Sequence, residues 1–194
     1  MKKAMRIFLM IILCSAMTVP SLRAQNNDVL PKKMTKQERK ELRLKESLAS
    51  RERILQLLKQ RLFVLEAYQI YGRNGITIPV NSAVNFMAIK GDKIIFQFGL
   101  EGGAVGSNGV GGITAEGFID NYTFNPGKST KKAMIVTGEI RPKGAGALGR
   151  FTLTVGNEGN AFLTMLLPYG GSLNMNGHIV DFAHSSVFKG QTMF

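Results

Sequence analysis

Apolar and polar positions follow two different periods along the chain, and the change falls near residue 62. Between residues 35 and 62 there is no Gly or Pro, and Lys, Arg, Glu and Leu dominate. Leu44, Leu48, Leu55, Leu58 and Leu62 recur at helical spacing, with Arg51 filling the missing step. That stripe predicts one amphipathic, basic helix over residues 35–62, with its apolar face on the C-terminal half. Thr35 followed by Glu38 has the capping-box spacing that starts such a helix. The first turns carry Lys36, Arg39, Lys40 and Arg43 with almost nothing apolar, so they are expected to stand in solvent.

Beyond residue 62 the period becomes two. "AVNFMAIKGDKIIFQF" (83–98) reads as a hairpin, two apolar runs joined at Gly91-Asp92, a pair suited to a two-residue turn. Pairing outward sets Ile89 opposite Ile94, Ala88 opposite Ile95 and Met87 opposite Phe96. Both faces of this hairpin are apolar and both are expected to be covered, one by a barrel interior and the other by the helix. "RFTLTV" (150–155) alternates strictly, with Phe151, Leu153 and Val155 inward, and "NAFLTMLLP" follows the "GNEG" turn as its partner. Further strands are expected near 63–70, 76–80, 113–123, 132–141, 172–180 and 185–189. Eight to ten short strands with mostly short turns describe a mainly β, antiparallel domain: a closed or nearly closed barrel, or alternatively a two-sheet sandwich.

The first 24 residues stand apart from this pattern. Lys2, Lys3 and Arg6 precede an apolar run beginning at Ile7–Leu13, and a polar stretch with Pro20 and Ser21 leads to Ala24. This is the layout of a signal peptide, with an apolar run too short for a stable membrane span. The expected organisation is a signal peptide (1–24), a flexible linker (25–34), the helix (35–62) and one antiparallel β domain (63–194) that includes the helix in its packing. The expected address is periplasmic or secreted, with no transmembrane span in the mature chain. Cys14 is preceded by Ile12 and Leu13 rather than the small residue that lipid attachment needs, so it is read as part of the discarded signal. The mature chain then holds no cysteine, which removes disulfides, thiolate metal sites and cysteine nucleophiles.

Charge sharpens the view of the helix alone. Of 25 Lys and Arg, 4 lie in the signal, and residues 32–61 hold 11 against 4 Glu. The rest of the chain is nearly balanced, with 10 basic and 9 acidic residues. An anionic lipid surface or an envelope protein is therefore a candidate partner through the 35–62 helix; the bland alternative is a solvated charged face. Nucleic acid is not expected, because no aromatics interleave with these cations to stack bases.

The glycine-rich "LEGGAVGSNGVGGITAEG" (100–117) resembles a phosphate loop only superficially. It precedes a strand rather than a helix and no Gly-Lys-Ser/Thr follows, so a turn or close chain approach is the better reading and no cofactor is implied. His178, Asp181 and His184 are too divided by strand periodicity to make a metal site, so no metal is expected. His184 beside Ser185 lacks an orienting acid and an oxyanion hole, and scattered carboxylates give no spacing signal; no catalytic residue is assigned, although a hydrolase with unlocated carboxylates stays an alternative. Carbohydrate binding favours exposed flat aromatics, and the chain has no Trp and four Tyr. The remaining alternative is a carrier of a small apolar ligand in a barrel interior, lined by Phe86, Met87, Phe96, Phe98, Phe151 and Met165.

Four segments, "RLFVLEA" (61–67), "VNFMAIKGDKIIFQF" (84–98), "NGVGGITAEGFIDNY" (108–122) and "SSVFKG" (185–190), resemble the secreted domain-of-unknown-function family 4251 of Bacteroides and relatives. The resemblance runs from about residue 45 onward. It implies a Gram-negative exported protein with a lipocalin-like antiparallel barrel, and no established activity. Asn108, Gly109, Gly111, Gly112, Gly117, Asn121 and Tyr122 resemble its signature positions, with no role implied. The expectation is thus an exported, non-catalytic binding or envelope interaction module.

Overall fold

From the hairpin at Gly91-Asp92 onward each strand pairs with the next in sequence, so the chain winds as a meander. A computed structural model of the chain describes residues 34–71, 76–99, 112–144, 149–166 and 171–187. Helix α1 (Lys36–Gln60) leads directly into β1 (Leu62–Tyr71), followed by β2 (Thr77–Pro79), β3 (Phe86–Lys90) and β4 (Lys93–Gly99). Then come β5 (Gly112–Asn125), β6 (Met134–Pro142), β7 (Gly149–Val155), β8 (Asn160–Leu166) and β9 (Ser172–Val180). All pairings are antiparallel, and β9 returns to β1, from Val64 opposite Val180 to Tyr71 opposite Asn174. The result is a closed barrel of eight strands, β1 and β3–β9, so the sandwich alternative falls. β2 continues the line of β3 along the same edge of β1.

The β3–β4 hairpin has the expected register, Met87 opposite Phe96 and Ile89 opposite Ile94. Its inward residues join one core with Phe63, Leu65, Phe151, Leu153, Leu163 and others. Its outward residues Phe86, Ala88 and Ile95 form a second cluster with Val64, covered by Val180, Phe182 and Val187. The helix was expected there; instead the segment after β9 covers that face. Residues 185–187, expected to begin a strand, take no regular structure because they serve as this cover.

Closure needs strands to bend, and two bulges supply it, at Ala67/Gln69 in β1 and at Asp120/Thr123 in β5. Between β5 and β6 the backbones approach so closely that a Cβ on Gly117 would overlap the Arg141 carbonyl oxygen. Gly117, one of the signature positions, is therefore architectural.

The helix sits at the barrel end that holds the β3–β4, β5–β6 and β7–β8 turns. Ile54 and Leu58 are fully buried in the barrel core, with Leu55 and Leu57 packed at its margin. Leu44 and Leu48, expected in the buried stripe, are 60% and 43% exposed. The helix docks end-on, so only its last turns reach the core and its first half projects away from it.

Candidate functional site

The docked half of α1 is held by polar contacts as well as by Ile54 and Leu58. Arg51 is 8% exposed. Its Nη1 donates to the Lys132 carbonyl at 3.1 Å and to Asn157 Oδ1 at 2.6 Å, and its Nη2 donates to the Pro126 carbonyl. One guanidinium thus ties the helix to both the β5–β6 loop and the β7–β8 turn. Its fork of donors suits two carbonyls and an amide oxygen at once. Gly159, in that turn, has φ +87° and faces Ile54, which comes within 3.1 Å of where a Cβ would sit.

The helix end is fastened from another strand. The β5 bulge places Asn121 at φ 54°, a left-handed conformation that Asn tolerates, and swings Tyr122 beneath the helix. Tyr122 Oη donates to the Leu58 carbonyl at 2.6 Å, a second donor beside the Arg61 amide, which reaches the same oxygen at 3.2 Å in the last turn. The Arg61 guanidinium lies 4.4 Å over its ring. Burial pushes the Tyr122 phenol above its usual range, and the Arg61 charge pulls it partway back. Asn121 Nδ2 donates to Glu139 Oε2 at 3.1 Å. The signature positions Asn121 and Tyr122 are the latch of the helix; Gly112 opens β5, and Asn108, Gly109 and Gly111 lie outside the described residues.

The free half of α1 continues the docked face with different chemistry. Positions 36, 40, 43, 47, 51, 54 and 58 follow one helical stripe, so Lys36, Lys40 and Arg43 share a face with Ser47 and the anchors. Glu38 and Glu52 fall on the far side, whereas Glu41 borders a shallow hollow with Lys36 and Lys40, and Glu46 lies to one side of Arg43. Ser47 borders a groove of about 370 Å³ together with residues 130–133 of the β5–β6 loop and Gly156, Asn157, Glu158 and Asn160 at the β7–β8 turn. That loop adds Lys128, Lys131 and Lys132, all exposed. Among the described residues, none of these six cations forms an ion pair or a side-chain hydrogen bond. The barrel wall is different: Arg141 pairs with Asp120, Lys143 with Glu116 and Arg150 with Glu139. The hydrogen bond from Arg141 holds the Asp120 carboxyl below its usual range. Sequence reading found the helix cations but not their loop partners, because nothing in the sequence marks which turn lies beside Ser47.

Five of the six interior candidates come together. Met87, Phe96, Phe98, Phe151 and Met165 share the barrel core, whereas Phe86 points to the outer cluster. Phe86 pairs with Gln97 and Met87 with Phe96, and side chains alternate along a strand, so Phe86 and Phe96 cannot share a face. An interior space that held even one water would leave exposed area on its lining. Met87 and Met165 have none, and neither have Phe63, Leu65, Leu153 and Leu163. At their level the barrel is filled by its own side chains.

The histidines separate. His178 lies on the outer face of β9 with its ring 5.6 Å from that of Tyr68. His184 and Asp181 share a turn, His184 Nδ1 lying 2.7 Å from Asp181 Oδ1, and this hydrogen bond lowers the Asp181 pKa. The Ser185 hydroxyl donates to Glu66 Oε1 at 2.9 Å, and the Ser186 amide donates to the same oxygen. Glu66 rather than His184 thus engages the neighbouring serines, and the His184–Asp181 pair closes the turn. Among the described residues, no three His, Cys, Asp or Glu side chains come together as a metal site would need.

A closed, up-and-down antiparallel barrel of eight strands, sealed at one end by a latched helix, defines the class. The chain belongs to the family described as Domain of unknown function (DUF4251), which matches residues 45–179. A solved relative is a DUF4251 family protein from Bacteroides eggerthii DSM 20697, 24% identical over 75% of this chain and 96% of that one, with a TM-score of 0.59. No curated protein matches the chain. Among the described residues, no helix is long and apolar enough to cross a membrane.

Proposed function

We propose that this is an exported, non-catalytic envelope module that docks on an anionic lipid surface through the free half of α1 and the β5–β6 loop. The observation that carries the reading is the unpaired cation set: Lys36, Lys40 and Arg43 on the stripe leading to Ser47, beside Lys128, Lys131 and Lys132 on the neighbouring loop. These six cations outnumber the acids beside them, Glu41 near Lys36 and Lys40 and Glu158 near Lys131 and Lys132, so the local potential stays positive and attracts phosphate-bearing headgroups, at about 1 kcal/mol per Lys or Arg near such a surface. The free half of α1 does not insert: Leu42 lies across the helix from Leu44 and Leu48, so there is no single apolar face. Export is supported by the charged start, apolar run and Ala24 of the first 24 residues. A carrier function draws no support from an interior packed with Met87, Leu153 and Met165. A hydrolase draws none from a Ser185 whose hydroxyl is bound to Glu66 rather than to His184.

Cosedimentation with vesicles tests the proposal. Phosphatidylglycerol-containing vesicles should bind the protein at low salt and release it as the ionic strength rises past about 0.5 M, where the Debye length falls to a few ångströms. Equal binding to pure phosphatidylcholine, or no binding to the anionic vesicles at low salt, overturns it.

A further inference from the structure

The outer wall of the barrel has two contrasting sides. Across β5, β6 and β7 it is a lattice of ion pairs, whereas across β8, β9 and the second half of β1 it carries no Lys, Arg, Asp or Glu. Glu66 and Arg150 mark the borders of this neutral side, and each is already engaged, Glu66 by Ser185 and Ser186 and Arg150 by Glu139. What replaces charge is aromatic. The bulge at Ala67/Gln69 turns two consecutive side chains, Tyr68 and Gln69, to the outside, where alternation allows only one. Tyr68 is 43% exposed against His178, and Phe162 on β8 is 38% exposed. The Phe162 ring meets that of Tyr71 edge-on at 5.9 Å and 67°.

Between these rings lie fixed amides. Asn176 Nδ2 donates to Gln69 Oε1 at 2.9 Å and to Tyr71 Oη at 2.7 Å, which uses both of its hydrogens. Asn176 Oδ1 then remains as an acceptor, and Gln69 Nε2 and the Tyr71 hydroxyl proton remain as donors, all held in place by the same two bonds. Neighbouring Asn174 adds a further amide opposite Tyr71.

We propose that this face binds a neutral glycan. A sugar ring offers an apolar C–H face that packs on an aromatic ring, and hydroxyls that both donate and accept, which matches rings interleaved with preordered amide donors and acceptors. Charge complementarity favours the same occupant: a face without fixed charge on a chain of formal net charge +12 gives an ionic partner nothing to pair with. Size argues against a second protein chain. A stable protein interface recruits about 20–30 residues on each side, and this face offers only about a dozen outward side chains from three strands.

The test is nitrogen-resolved NMR of the purified full chain titrated separately with maltohexaose, cellohexaose and the hexaose of N-acetylglucosamine, to about 5 mM, the range for a small solvent-exposed site. At least one is expected to shift resonances confined to β1, β8 and β9, and Tyr68→Ala and Gln69→Ala should each weaken that binding about tenfold. Both positions are half-exposed, and unchanged spectra elsewhere will show that the variants fold. Arg141→Ala, on the ionic side, should leave glycan binding unchanged. No shift with any of the three sugars overturns the proposal, as do shifts that map elsewhere or survive both variants. Vesicle binding through α1 is unaffected by either outcome, since no residue is shared.

Discussion

Arg51 offers the sharpest perturbation of the barrel–helix junction. Its guanidinium makes three hydrogen bonds, to the carbonyls of Lys132 and Pro126 and to Asn157 Oδ1. Arg51→Met keeps much of the aliphatic stem and removes every donor. Hydrogen bonds to a charged group contribute about 1.5–3 kcal/mol each, but the acceptors lie near the surface and water recovers part of that. The net loss expected is therefore about 2–4 kcal/mol, less than the sum of three bonds. For a chain of this length that corresponds to a fall in Tm of roughly 5–15 °C. Arg51→Lys keeps the charge but cannot span three acceptors, and should fall between the two. Urea unfolding followed by circular dichroism measures each. A loss below about 0.5 kcal/mol for Arg51→Met, the size of an ordinary surface change, would refute the claim that this residue fastens the helix.

Three further outcomes follow from the same geometry. Ile54→Ala and Leu58→Ala should each cost about 2–5 kcal/mol, whereas Leu44→Ala and Leu48→Ala should stay within about 0.5 kcal/mol; equal losses in the two pairs would mean that the whole stripe is buried. Tyr122→Phe removes one donor from the Leu58 carbonyl and should cost about 1 kcal/mol in urea unfolding, and no loss would show that the bond contributes nothing. The Asp181 carboxyl is held by His184 below its ordinary value of 3.8, so its contribution is present above that value and is lost as pH falls through the lower folded value. An NMR titration should find its midpoint under 3.8 and see it rise in His184→Ala; an unchanged midpoint in the variant would show that the pair does not bind the proton as described.

The elements that alternate cleanly were legible in the sequence, and the ones that serve tertiary closure were not. Gly91-Asp92 sets the β3–β4 register by itself, so Met87 opposite Phe96 follows from local turn geometry. The helix was legible as a helix, but its docked face was misplaced by the run of leucines. Ile54 and Leu58 are buried because the barrel end meets the helix there, a tertiary fact that leaves Leu44 in solvent. Phe86 reads as interior until the strand parity relative to Phe96 is enforced. Arg51 looked like an interruption of a stripe and is its polar anchor. The bulges that turn out Tyr68 and swing Tyr122 under the helix have no signature in a single sequence, and with them went the aromatic outer face. Sequence reading had set carbohydrate binding aside because the chain has no Trp and only four Tyr.

If cations from two separate elements act as one docking face, as proposed, removing charges from both together should weaken binding to an anionic bilayer. Lys40→Gln, Arg43→Gln and Lys131→Gln combined take two charges from the helix and one from the loop, all at exposed positions. At about 1 kcal/mol per cation near an anionic bilayer, partitioning onto the same phosphatidylglycerol vesicles at low salt should fall about 100-fold, with the unfolding midpoint unchanged. Partitioning of the folded triple variant that matches the unsubstituted chain would contradict the account.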